Sequence, residues 1–182
     1  VHYGAAEGTL TLKNTELIAP VAGTADEINS ASPSVIGVAA WAQTGENIDE
    51  AWKLVVTDCT IRTNGFAVFD RWNNATYTNT TFTGLEGVEG LDDIEVKTCY
   101  MALNNPHAND VTYDHCTFRN MRSWGMLVAG EELTVTDCTF DGTNQSCAIS
   151  VAYGTIDKCT ITGNTFDLSG SGSGIMFSGA VT

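Results

Sequence analysis

Apolar and polar positions along this chain follow one recurring phrase. Seven segments carry it: Leu10-TLKNTE-Leu17, Leu54-VVTDCT-Ile61, Ala75-TYTNTT-Phe82, Ile94-EVKTCY-Met101, Val111-TYDHCT-Phe118, Leu133-TVTDCT-Phe140 and Gly154-TIDKCT-Ile161. Nearly every one reads apolar, any, apolar, two polar, Cys or Thr, any, apolar. The slot residues are Thr15, Cys59, Thr80, Cys99, Cys116, Cys138 and Cys159, and five of their six spacings lie between 17 and 22 residues. Within a segment such as Leu133, Val135, Cys138, Phe140 the inward positions advance by two, then three, then two. Side chains of a single strand alternate strictly between faces, so the step of three demands a bend just before the slot. The residues there are Asn14, Asp58, Asn79, Thr98, His115, Asp137 and Lys158. Asn and Asp tolerate the left-handed backbone such a bend requires.

Each unit therefore predicts two short strands meeting at a corner. A third strand follows in most units, as in Gly65-FAVF-Asp70, Gly125-MLVA-Gly130, Cys147-AISV-Ala152 and Gly174-IMFS-Gly179. One unit cannot cover its own apolar face, but stacked units share a continuous core. The pattern predicts an all-β, right-handed, single-stranded parallel β-helix of about seven coils, right-handed because parallel crossover connections are. No window keeps a helical apolar period for three turns. Residues 1–182 read as a single domain, with excision from a larger protein expected from a first residue, Val1, that is not Met. Two stretches, 18–34 and 40–51, read as inserted loops that explain the doubled first spacing.

Charge narrows the partners. Twenty-two Asp and Glu against 8 Lys and Arg leave a net charge of −14 in 182 residues, which repels nucleic acid and anionic lipid. No apolar run reaches the roughly 18 residues of a membrane span. Five of the six cysteines fall in the slot, which reads as a buried structural ladder together with Thr15 and Thr80, without the C-x-x-C spacing of a metal site. Cys147 lies off the ladder and is the candidate reactive thiol.

With those repeats in hand, the chain resembles the pectate-lyase-like right-handed parallel β-helix superfamily over about residues 10–178. Within it the chain is similar to the β-helix modules of bacterial surface adhesins. The resemblance implies a ligand site outside the third strand and on its flanking loops, and an extracellular place, secreted or at the cell surface. The galacturonase-like signatures and the lyase R-x-P-x-x-R pattern are missing, apart from the bare Asp92-Asp93. The leading reading is accordingly a noncatalytic module that binds a glycan or a cell-surface ligand beside neighbouring domains of the same polypeptide. Trp72, Trp124, Trp41 and Arg119 are its candidate ligand contacts, since indole rings offer apolar surface with a polar handle.

Two alternatives stand beside it. A polysaccharide lyase or glycoside hydrolase would act on acidic polysaccharide with Asp70, Arg71, His107 and Arg122. The acids Glu86, Glu89, Asp92 and Asp93 in GLEGVEGLDD could hold Ca²⁺, a hard cation that takes six to eight oxygens. No other cofactor is expected. The last option is an assembly element whose rod ends stack. Asn74, Asn79 and Asn144 open N-x-S/T sequons, compatible with glycosylation.

Overall fold

The structure is a computed structural model and describes residues 2–3, 8–38, 52–70, 74–141, 147–151, 155–168, 172–178 and 180–181. All strand pairings in it are parallel, and each strand pairs with its counterpart one coil away. The second strands form the simplest stack, six deep: Glu16–Ala19, Thr60–Thr63, Thr81–Thr83, Thr117–Arg119, Thr139–Asp141 and Thr165–Asp167. First and third strands form the other faces. They merge where the long strands Met101–Asp114 and Trp124–Thr136 serve as third strand of one coil and first strand of the next.

The bend before the slot is a left-handed residue. Asn14, Asp58, Asn79, His115 and Asp137 have φ between 47° and 53°. Each donates its N–H to a carbonyl of the following coil, on Thr57, Thr78, Asp114, Thr136 and Thr162 respectively. The slot residue then uses its own side chain. Thr15, Cys59, Thr80, Cys116 and Cys138 each donate O–H or S–H to the carbonyl two residues earlier, at 2.8–3.5 Å. A small residue with a donor on its first side-chain atom fits this place, which is why Cys and Thr interchange there.

Two positions of the expected ladder are corrected by the register. Leu133 pairs with Cys159 and Phe140 with Phe166, so Cys159 occupies a first-strand position. The corner of that coil is Gly163, with φ 68°, and the slot holds Asn164. Its Oδ1 accepts the Cys138 N–H at 2.7 Å and its Nδ2 donates to the Val135 carbonyl at 2.9 Å. Cys99 is not a rung either. The Thr117 N–H donates to the Thr80 carbonyl and Phe82 pairs with Phe118, so Thr80 is followed directly by Cys116. Cys99 instead bridges Met121 at a second bend, where Asn120 is the left-handed residue. Residues 84–98 are thus an excursion from the third coil. Tyr100 is back on the rod, donating its N–H to the Gly65 carbonyl and accepting the Ser123 N–H, and Met101–Asn104 continues as a third strand paired with Phe66–Asp70.

Inside the rod, equivalent side chains stack one coil apart. Phe82, Phe118, Phe140 and Phe166 form a column with ring centroids 4.8–5.0 Å apart and planes within 11°. Tyr77 and Tyr113 stack at 4.5 Å beside it, with the Tyr113 hydroxyl donating to Asn104 Oδ1. Among the described residues one helix breaks the all-β pattern. Ala25–Ala31 lies within the insertion at 18–34, opened by Thr24 and Glu27 in a reciprocal capping box, with Ile28 fully buried. The other inserted loop, 40–51, lies outside the described residues. Among the described residues no helix is long and apolar enough to cross a membrane.

Candidate functional site

The excursion at 84–98 and the helical insertion are fastened to one spot on the rod, where two side chains do most of the tying. Asn64 is fully buried at the bend between second and third strand. Its amide donates to the carbonyls of Val21 and Val96, both at 2.8 Å, and accepts the Val21 N–H at 2.9 Å. Arg122 completes the junction. Its Nη1 donates to the Thr98 carbonyl at 2.7 Å, and its Nη2 to Asn29 Oδ1 at 2.6 Å and to the Asn64 carbonyl at 3.1 Å. The guanidinium also lies 5.2 Å from the centre of the Tyr100 ring. Burial pushes its pKa down from the ordinary arginine value. It keeps its charge all the same, because five donors on a planar cation suit a junction made of carbonyl oxygens.

The neck of the excursion closes as tightly. The Leu85 N–H donates to the Lys97 carbonyl at 2.6 Å, and Leu85 is fully buried. A Cβ at Gly84 would stand 2.1 Å from that same carbonyl oxygen, so only glycine lets the two arms of the neck approach. Beyond the neck, Glu86, Glu89, Asp92 and Asp93 are all exposed. Glu86 accepts from Asn120 Nδ2 at 2.5 Å. No three of these four carboxylates bring ligand atoms within 4.8 Å of one another.

Other expected site residues separate. Arg122 is consumed by the junction and is not free to act on a substrate. Arg119 is exposed in the second-strand stack, in register between Thr83 and Asp141. Trp124 is half-buried at the start of a third strand, with its indole N–H buried and unpartnered. It packs with Phe66, Tyr100, Met101 and Leu127 in a second apolar cluster outside the core. The third-strand residues Ala67, Phe69, Leu127 and Ala129 are buried or half-buried. Trp41, Trp72 and Arg71 lie outside the described residues, as do the side chains of Asp70 and His107. Of the sequons, Asn79 donates its amide to Asp58 Oδ1 at 2.8 Å, while Asn74 accepts the Asp110 N–H at 3.2 Å; Asn144 is outside the described set.

Sequence reasoning missed one constellation on the row of left-handed corners. Asp114 Oδ1 and His115 Nδ1 are 2.9 Å apart. Asp137, at the next corner along the rod, brings a carboxylate oxygen so close that one ligand atom from each of the three lies within 4.8 Å of the others. Among the described residues no other group of three His, Cys, Asp or Glu does this. The signal was present at two neighbouring corners of the repeat, but His115 reads as a plain bend residue until the coils are laid over one another.

Comparison with known proteins gives one match. The family described as "Right handed beta helix region" matches residues 39–182. No curated protein and no solved structure matches the chain.

Proposed function

We propose, from the premise that the chain belongs to the right-handed β-helix family, that it is a noncatalytic, adhesin-like binding module of the extracellular surface. In this reading the rod is a stiff support and the acidic excursion at 84–98 is the element it presents to a glycan or other cell-surface ligand. The observation that carries the reading is the junction. A loop with four exposed carboxylates is held at its neck by Gly84 and Leu85 and at its far arm by Arg122 and Asn64. A loop fixed in this way binds with little ordering entropy left to lose. The same junction occupies both terminal nitrogens of Arg122, the arginine a lyase would direct at an acidic sugar. A net charge of −14 favours neutral or cationic ligands over polyuronates.

The test has two arms. Incubation with polygalacturonate and alginate, with and without Ca²⁺, should release no unsaturated product. Screening against a neutral-glycan array should give binding that weakens in Glu89→Gln, Asp92→Asn and Asp93→Asn. Turnover that disappears in Arg71→Ala or His107→Ala would replace the module with an enzyme.

A further inference from the structure

We propose that Asp114, His115 and Asp137 bind one first-row divalent transition-metal ion of the zinc class on the corner ridge of the rod. An ion held by imidazole nitrogen and carboxylate oxygen at about 2.0–2.2 Å has ligand atoms within about 4.4 Å of one another. The three side chains already offer atoms within 4.8 Å, so small rotations close the set. Their backbones are pinned. His115 and Asp137 are left-handed corner residues whose N–H groups donate to the Thr136 and Thr162 carbonyls, both at 3.0 Å.

The repeat supplies an independent argument. Laid over one another, the residues before the corner are Lys13, Thr57, Thr78, Asp114, Thr136 and Thr162, and the corners are Asn14, Asp58, Asn79, His115, Asp137 and Gly163. Threonine is the common choice at the first position, and Asn or Asp at the second. Only the coil of residues 110–119 puts a carboxylate and an imidazole side by side, and packing does not require either. The His115 side chain is 64% exposed, so burial does not select an imidazole at this corner. A local rule broken without gain in packing points to function. The next coil accommodates the group: a Cβ at Gly163 would stand 2.0 Å from Asp137 Oδ1, so glycine leaves that carboxylate its place.

The donor set selects the ion. Imidazole with carboxylate suits zinc, nickel and copper, whereas Ca²⁺ and Mg²⁺ want oxygen alone. Three protein ligands leave a coordination position open to water or to a donor from outside. This site does not depend on the binding-module reading, because the ion alone is its ligand.

The experiment uses the untagged full chain, stripped with chelator, and titrates it with Zn²⁺ in a calorimeter. One ion per chain is expected, undisturbed by excess Ca²⁺. Affinity should fall roughly tenfold or more in His115→Asn and in Asp114→Thr. Other coils carry those residues at the equivalent positions, so both variants keep the fold, and circular dichroism checks this. In nitrogen-detected NMR the His115 imidazole should shift with Zn²⁺ and stop shifting at one equivalent. No Zn²⁺ binding, or binding of equal strength in both variants, overturns the proposal.

Discussion

Truncating Phe118 to alanine strikes the aromatic column at a point where the consequence can be worked out. The ring is fully buried, stacks on Phe82 at 4.8 Å and on Phe140 at 4.9 Å, and meets Tyr113 edge-on at 5.4 Å. Phe→Ala in a core costs about 3–5 kcal/mol, and a position with both ring faces stacked belongs at the upper end. Among the described residues Phe166 has one stacked neighbour, Phe140 at 5.0 Å, and it is half-buried, so Phe166→Ala should cost about 2 kcal/mol on the same scale. Urea unfolding followed by far-UV circular dichroism and by tyrosine and tryptophan fluorescence measures both. With a slope near 2 kcal/mol/M, the midpoint should fall by about 2 M for Phe118→Ala and about 1 M for Phe166→Ala. Coils contact only their neighbours, so coincidence of the two probes must be checked before either midpoint is converted to energy. Equal losses at the two positions, or a larger loss at Phe166, would refute the column as a graded stack.

Three further outcomes follow from the same geometry. All six cysteines are free, and Cys159 alone is not buried, so a thiol reagent on native protein should modify Cys159 first. Prompt labelling of Cys99, whose burial pushes its pKa up to about 12, would contradict the packing. Gly84→Ala drives a Cβ against the Lys97 carbonyl. It should raise hydrogen exchange across residues 85–98 severalfold and leave the rod protected, whereas unchanged exchange there would show that the neck is loose already. In chelator-treated protein, the hydrogen bond and charge of Asp114 hold the His115 pKa above the ordinary histidine value, aided by Asp137. The protonated pair therefore stabilises the fold fully below the ordinary value, and the gain is lost as pH rises through the raised one. NMR titration should show Asp114→Asn bringing His115 down, and a wild-type value at or below the ordinary one would remove the pair.

Much of the rod was legible because its physics is local and repeated. The two-three-two advance of apolar positions demands a corner, and Asn14, Asp58, Asn79 and Asp137 announce the left-handed residue that makes it. What misled was treating the slot as a residue type. Cys159-TITGNT-Phe166 satisfies the apolar phrase, but its slot holds Asn164, which meets the same need with an amide instead of a thiol. Conversely, Ile94-EVKTCY-Met101 imitates the phrase within an excursion whose contacts are with Gly84, Asn64 and Arg122, none of which periodicity reveals. The short helix did leave a local signature, Thr24 three residues ahead of Glu27, although two turns are too few for an apolar period. The candidate site was hardest to read. It depends on side chains from different coils, and only the register shows that Arg122 is committed to a junction and that Asp114, His115 and Asp137 meet.

The central claim is that residues 84–98 leave the rod and return, so that Thr80 lies directly against Cys116. Scalar coupling through hydrogen bonds, measured by NMR between amide nitrogen and carbonyl carbon, reads this contact directly. The Thr117 nitrogen should couple to the carbonyl carbon of Thr80, its acceptor at 3.0 Å. Coupling of Thr117 to Cys99 instead would make Ile94–Met101 a regular coil and contradict the account.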